Sequence, residues 1–538
     1  SLWRGVTPKG KMLCAAANDA AATWLRSRSP GGRLSTATVF ASGAFAAELV
    51  QIDALRSFAE RALEDGPAGA AAALERLLGM GVQQPAVPEA VPEAAEAPEL
   101  AALSSEQKVV AKQLASWTQP GGTSAHGPVL VRGVFGSGKS RTLAACIVFL
   151  DRLLTAQRDP RRILLVCQTN VAVDAVLQQL LTHHKWDNFA RLGSFKSVDP
   201  ALLYRTVSLM TTRQASAKEL SEALEKRPPE VREALRAAVD RGILPPRASV
   251  WRRRRLVAAT VAALDSAEHL GQDALSCPLV LVDEVTQLTE PAVFSAFQKA
   301  GAEQALLVGD PRQLPPRALS GNLQRSLLER LWEDGPASAR IQLATQYRCH
   351  PVIAELGSGL FYGGCLQSGV SAQDRESGLG PGAPPLAVVL SEGSESRAGQ
   401  SYRHDAEARL CAAWLRRATS CGRLRSEDFG VVCLYRPQAE ACAQAAAAAG
   451  VKGVECATID AFQGGEREAI ALCCGRSSSS RDSFSGCPRR LNVALSRARR
   501  HLVIFGSEAF LSGHPIFCHV LAAARARGCV HSARDVNS

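Results

Sequence analysis

The chain has 538 residues, more than one compact core accommodates, so roughly two to four domains are expected. A hydrophobic content of 46% and a charged content of 21% are those of a globular chain; no apolar run is long enough for a membrane span, and the first residues lack a charged-then-apolar leader layout. The formal charge of +11 and pI of about 9.0 are compatible with a polyanionic partner.

In chain order, residues 1–82 form an accessory region with strand-like pieces such as "TATVFASGAF" and an alanine-rich helix near 54–79. Residues 83–100, "QQPAVPEAVPEAAEAPEL", have the proline, alanine and glutamate composition of a linker. From 101 to 335 short Val/Leu/Ile runs alternate with helical segments: "GPVLVRGV", "RILLVCQT", "RLVAATVA", "PLVLVDEV" and "QALLVGDP". Continuous apolar strands of this type belong to parallel sheets covered on both faces, with ligands beyond their carboxyl ends. A charged helical insertion occupies about 203–250. Residues 336–538 carry a second series, "APPLAVVL", "DFGVVCLY", "GVECATID", "EAIALCCG" and "HLVIFGSE", and read as a second α/β domain.

The chain holds 16 cysteines, no C-x-x-C, and most lie inside apolar runs, so they read as buried reduced thiols. His514, Cys518, His519, Cys529 and His531 in the tail match no common zinc spacing and read as part of an amphipathic helix.

Three strand ends carry the chemistry. "GVFGSGKS" is a phosphate-binding loop between a strand and a helix, with Gly133, Gly136 and Gly138 letting backbone N–H groups wrap phosphate oxygens. Lys139 reaches the β- and γ-phosphates, Arg141 follows on the helix, and the Ser140 hydroxyl is a ligand for Mg²⁺. After "LVLV", Asp283 holds the Mg²⁺ of a bound ATP and Glu284 orients the attacking water. Kinases of small metabolites exclude water and have no use for such a glutamate, so the pair points to hydrolysis. Gln313 in "VGDPRQLPP" is placed to sense the γ-phosphate. Arg348 in "LATQYRCHP" and Arg497 in "RRLNVALSRARR" are candidates for stabilising charge on the transferred phosphoryl group.

The ordered set "GVFGSGKS", "CQTNVAVDAV", "LVDEVTQ", "VGDPRQLPP", "QYRCHP", "TIDAFQGGERE" and "RLNVALSRAR" resembles the motifs of superfamily 1 helicases, group 1B, in the up-frameshift-like branch. The resemblance implies an α/β fold of two tandem RecA-like P-loop NTPase domains, with a helical insertion and a small N-terminal accessory domain. It implies that Gln107 reads adenine, Tyr347 stacks on it and Glu466 contacts the ribose. Thr169, Asn170, Thr260 and Thr458 match positions that touch the nucleic-acid backbone, contacts with little sequence preference. The implied activity is a nucleic-acid-stimulated ATPase driving 5′-to-3′ movement of a monomeric motor on single-stranded DNA or RNA. Val134-Phe135, where the branch more often has Pro-Pro, and "LWRGVTP" are similar to nuclear DNA-repair helicases of the branch that carry a GRF zinc finger. No such finger pattern stands in these residues. The alternatives are an RNA helicase of RNA surveillance and an ATP-gated clamp that binds without unwinding. Two departures accompany the match: Cys433-Leu434 where the family usually has Thr-Pro, and His404 where Asn is more usual.

Overall fold

The computed structural model describes residues 2–6, 12–15, 97–118, 127–208, 213–227, 229–241, 251–267, 275–318, 321–334, 340–380, 382–421, 423–462, 465–478 and 486–537. The alanine-rich helix expected near 54–79, the strand "TATVFASGAF" and most of the linker lie outside these residues. At the start, β1 (Leu2–Val6) pairs antiparallel with β2 (Met12–Ala15).

The contacts divide the chain into two units, one of residues 1–131, 140–309 and 315–341, the other of 132–139, 310–314 and 342–538. The first is built on an eight-stranded sheet in the order β10-β3-β9-β8-β4-β7-β5-β6. Its strands are β3 (Val129–Gly133), β4 (Ile163–Cys167), β5 (Phe189–Leu192), β6 (Thr206–Val207), β7 (Leu256–Thr260), β8 (Leu279–Val282), β9 (Gln304–Gly309) and β10 (Arg340–Leu343). The pairings β4 with β7 and β8, β5 with β6 and β7, and β8 with β9 are parallel. Every residue of β4, β7, β8 and β9 is buried, which is why these segments are continuous apolar runs and do not alternate.

Helix α1 (Ser105–Ala115) starts at a capping box formed by Ser104 and Gln107. Helix α2 (Lys139–Ala156) follows the phosphate-loop sequence, and α3 (Asn170–His183) follows β4. The described part of the insertion holds α4 (Arg213–Glu225) and α5 (Pro229–Asp240).

The second unit has a six-stranded sheet in the order β17-β16-β18-β19-β13-β20. Two short pairs precede or flank it: β11 (Thr345–Gln346) with β12 (Gln367–Ser368), and β14 (Ser396–Ala398) with β15 (Ser401–Arg403). The sheet strands are β13 (Leu386–Leu390), β16 (Phe429–Cys433), β17 (Glu455–Thr458), β18 (Arg467–Cys473), β19 (Ala498–Gly506) and β20 (Val530–Ser532), all paired in parallel. Successive side chains of these strands go to opposite faces. Val388, Val432, Leu472 and Ile504 enter one core, while Val389, Val431, Cys473 and Phe505 enter the other. The helices used below are α6 (Pro351–Phe361), α7 (Asp405–Ser420), α8 (Arg436–Ala448) and α9 (Pro488–Leu495).

His404 shows why histidine serves where asparagine is usual. It is fully buried at the N-cap of α7, and its Nδ1 accepts the Glu407 N–H at 3.1 Å, the bond an asparagine oxygen would accept. Burial lowers the imidazole pKa, which keeps that nitrogen unprotonated. Among the described residues no helix is long and apolar enough to cross a membrane.

Candidate nucleotide and nucleic-acid sites

In the first unit, β8 delivers Asp283, 1% exposed, at its carboxyl end. Its Oδ2 lies 3.4 Å from the Ser140 hydroxyl on α2, and its Oδ1 accepts the Glu284 N–H at 2.9 Å. Ser140 and Asp283 thus place two oxygen donors together, the donor type Mg²⁺ takes. Glu284 adopts φ +52°, a left-handed conformation that non-glycine residues rarely hold. This sharp turn exposes its half-buried side chain, whose Oε2 accepts from Gln287 Nε2 at 3.1 Å. Gln287 stands in the quoted "VDEVTQ", yet sequence reasoning gave it no role. Gln107 is buried, with its Oε1 accepting the Ser104 N–H at 3.0 Å. Arg141 is exposed on the first turn of α2.

The phosphate loop has the backbone a polyphosphate needs. Gly136 and Gly138 have φ of +65° and +75°. A Cβ on Gly133 would lie 2.6 Å from Ser137 Oγ, so the loop tolerates no side chain there. Lys139 Nζ donates to the Gly133 and Val134 carbonyls at 3.1 and 3.4 Å, folding the ammonium into the loop. These residues fit ATP with Mg²⁺.

Residues 132–139 and 310–314 belong to the second unit by contact, and there Tyr347 N–H donates to Gly136 O at 2.8 Å. A Cβ on Gly136 would fall 2.6 Å from Arg348 Cβ. Phe135, the unusual loop residue, is buried edge-on to Tyr362 with ring centroids 5.7 Å apart. The Tyr362 hydroxyl donates to Asp310 Oδ2 at 2.7 Å and accepts from Asn492 Nδ2 of α9 at 2.8 Å. Gln313 Nε2 donates to the same Asp310 oxygen at 3.0 Å. Burial raises the Asp310 pKa against the lowering effects of Lys139 and Tyr362. Tyr362 and Asn492 went unassigned in the sequence because neither lies in a glycine-rich or acidic motif.

Arg348 and Glu466 form an ion pair at 2.5 Å, and Arg348 Nη1 also donates to Ser496 O at 3.0 Å. Arg348, then Arg499 and Arg497, hold the Glu466 carboxyl below its usual range despite partial burial. Arg497 is 4% exposed and its Nη1 donates to Gly465 O at 3.2 Å. The half-buried Tyr347 ring packs on Gly369, where a Cβ would lie 2.2 Å from Tyr347 Cε1.

The three threonines share one construction. Thr169 Oγ1 accepts from Ala172 N at 3.2 Å, Thr260 Oγ1 from Ala263 N at 3.2 Å and Thr458 Oγ1 from Ala461 N at 3.4 Å. Each stands at or just past the carboxyl end of a parallel strand and caps the turn that follows. Thr260 is only 6% exposed, while Thr169 and Thr458 are half-buried.

Asn170 belongs to a network the sequence did not disclose. Arg191 of β5 is fully buried and pairs through Nε with Asp174 Oδ1 at 2.9 Å. Its Nη2 donates to Asn170 Oδ1 at 2.6 Å, and Asp174 Oδ2 accepts the Asp199 N–H at 2.9 Å. The guanidinium has no acceptor atom, so this bond fixes which end of the amide faces it. The Asn170 Nδ2 group is then turned away from Arg191 as a pair of donors. Donors are what a phosphate or sugar oxygen requires.

Cys433 and Leu434 are buried in the cores of the second unit, at 0% and 1% exposure. The side-chain hydroxyl contact that a threonine would offer at this strand end is absent. In the tail, His514 is buried and its Nδ1 accepts the Ile516 N–H at 3.1 Å, a capping role.

A phosphate loop, a strand-end acidic pair and two parallel α/β sheets define a P-loop NTPase with two RecA-like domains. The family described as AAA domain matches residues 108–241 and 208–321 in one form and 323–509 in another. The 5'-3' DNA helicase ZGRF1 of Mus musculus is 33% identical over 419 residues, covering 74% of this chain and 22% of that protein. The chain belongs to the superfamily 1 helicases, group 1B, in their up-frameshift-like branch.

ATP-dependent helicase upf1 of Schizosaccharomyces pombe is 30% identical over 435 residues, 74% of this chain and 45% of that protein. The chain therefore spans less than half the length of these relatives. A solved arterivirus nonstructural protein 10 helicase is 14% identical, with a TM-score of 0.36 over 71% of this chain and 60% of that one, a likeness too loose to argue from.

Proposed function

We propose that this chain is a nucleic-acid-stimulated ATPase that moves 5′ to 3′ along single-stranded DNA as a monomer, in the nucleus, and unwinds duplex ahead of it. The observation that carries the reading is the Ser140–Asp283 pair beside a left-handed Glu284 held by Gln287. A strand end built this way serves water attack on a metal-bound phosphoryl group.

Bound Mg²⁺-ATP supplies the reactive phosphoryl group and the cation that neutralises its oxygens. Lys139 and the loop N–H groups hold the phosphates, Ser140 and Asp283 hold the cation, and Glu284 takes the proton of the attacking water. Gln313 reports the γ-phosphate, while Arg348 and Arg497 stabilise charge on the group in transfer. Arg348 must leave Glu466 to do so, which frees that carboxylate for the ribose. Gln107 and Tyr347 hold the adenine. Thr169, Asn170, Thr260 and Thr458 donate to the nucleic-acid backbone.

DNA is favoured over RNA by the Val134-Phe135 loop and by the similarity to a mouse DNA helicase. The buried Cys433 and Leu434, which offer the strand no hydroxyl, leave room for an ATP-gated clamp that binds without unwinding. Strand displacement on 5′- and 3′-tailed duplexes separates the two readings, since a clamp displaces neither. ATPase stimulation by matched DNA and RNA strands, at stated salt, decides the substrate. No stimulation by either strand would falsify the motor. A tagged chain excluded from nuclei would remove the assigned location.

A further inference from the structure

In the second unit, β16 and β18 are parallel neighbours, and their register sets Cys433 directly opposite Cys473 at the last position of each strand. Directly paired residues of adjacent strands point to the same face. On that face lie α7 and α8, which contribute Cys411 and Cys442 to the same core. All four cysteines are at most 2% exposed. Cys433 Sγ and Cys442 Sγ are 3.9 Å apart, and the sulfurs of Cys433, Cys442 and Cys473 all lie within 4.8 Å of one another. Cys411 is a fourth buried thiol in the same core, on α7 beside these three. Gln438 Nε2 lies 3.8 Å from Cys442 Sγ, an outer N–H donor of the kind that orients a ligating thiolate.

We propose that Cys411, Cys433, Cys442 and Cys473 are a closed structural site for a thiophilic divalent cation, zinc. A tetrahedron with the observed 3.9 Å edge has its centre about 2.4 Å from each corner, against ~2.3 Å for a zinc–sulfur bond. Edges of 4.8 Å, the bound on the separations among Cys433, Cys442 and Cys473, close to that length with shifts of roughly 0.6 Å, and the Cys411 thiol turns inward as the fourth ligand. The sulfurs are too close together to span a cluster of several irons. Binding replaces S–H bonds by S–Zn bonds and releases the thiol protons to solvent, so the metal enters as the unit folds. The need for it lies in α8, "RPQAEACAQAAAA", whose buried apolar contacts are alanines and Cys442. Alanine methyls bury little area, and a metal bonded to both helices and both strands offsets that. The spacing hid this site, because each ligand comes from a different element and no C-x-x-C occurs.

The test uses the untagged full chain, expressed with zinc and passed over a chelating resin. About one zinc per chain by mass-spectrometric metal analysis is expected, falling to under ~0.1 in the Cys433→Ser/Cys473→Ser double variant. Cys474→Ala is the matched control. Cys474 adjoins Cys473 but packs in the core on the other face, so this variant keeps its zinc. Wild-type chain refolded with cobalt should show sulfur-to-cobalt charge transfer and the visible bands of a tetrahedral thiolate site, a readout independent of whether the double variant folds. Metal-free protein with no cobalt–thiolate spectrum overturns the proposal. So does zinc that survives the double substitution, or a disulfide within the group in chain purified with zinc present.

Discussion

The two sheets share parallel strands and apolar cores, yet their charged candidate site residues flank opposite ends of the strands. In the first unit the acidic pair follows β8, and Thr169 and Thr260 sit where β4 and β7 end. In the second unit Glu466 and Arg497 immediately precede β18 and β19, and the carboxyl ends of β16 and β18 carry buried thiols. Carboxyl ends feed helix N-termini, whose free N–H groups attract phosphate, so a nucleotide and its metal belong there. The second sheet supplies arginines from its amino ends and keeps only Thr458 in the pattern of the first.

Removing an amino-end charge tests this contrast most sharply. Arg497→Ala is expected to lower stimulated kcat by about 10³-fold or more, the scale of an arginine that stabilises phosphoryl transfer, with nucleotide affinity changed far less. Steady-state ATPase with a fluorescent-nucleotide titration measures both, and equal losses in kcat and affinity would make Arg497 a binding residue only. Glu284→Gln attacks the carboxyl-end side. It keeps Gln287 as a partner but cannot accept a proton, so turnover falls by roughly 10²–10⁴ while ATP still binds. Near-normal turnover would transfer the water-activating role to another group.

A smaller effect is expected at the network beneath Asn170. Arg191→Met leaves Asp174 buried without its cation and should destabilise the first unit by about 3–5 kcal/mol, visible in denaturant melts. Asn170→Ala keeps that pair but removes the Nδ2 donors together with the acceptor of Arg191 Nη2, so stability falls by about 1–3 kcal/mol, less than for Arg191→Met, while affinity for single strands falls roughly 3–10-fold, the worth of one hydrogen bond. Asn170→Asp reverses the atom presented and should bind single strands more weakly than Asn170→Ala, by repulsion from phosphate. Equal affinity of all three chains would remove Asn170 from the contact set.

These cases show what a linear sequence can disclose. The phosphate loop, Asp283 and Glu284 were legible because their geometry is local: one strand end and one turn place every group. The parallel sheets were legible because burial on both faces writes continuous apolar runs. Arg191 was not, since "FARL" is an ordinary strand until β5 is seen beside the start of α3. The thiol group was hidden in the same way, as was the Tyr362 bridge between Asp310 and Asn492. Long-range pairings leave no spacing to read, and there the three-dimensional arrangement supplies the argument.

The smallest effect probes a buried acid of the second unit that lies outside the candidate site residues. Glu407 is fully buried in α7, and its Oε1 accepts from Gly475 N at 2.8 Å and Gln438 Nε2 at 3.2 Å. Its Oε2 has no hydrogen-bond partner among the described residues. Burial pushes the carboxyl well above the ordinary glutamate range, so the folded chain retains a proton that the unfolded chain gives up. The folded state then binds more protons than the unfolded one between the two pKa values. Stability is greatest below the unfolded pKa and declines as pH rises toward the folded one. Glutamine reproduces the accepting oxygen and removes the titration. Glu407→Gln should therefore match the wild type in mildly acidic buffer and exceed it progressively toward neutrality, with a flatter profile of melting temperature against pH. A variant that loses stability equally at every pH would show that the carboxyl is ionised in the fold and held by these donors as an anion.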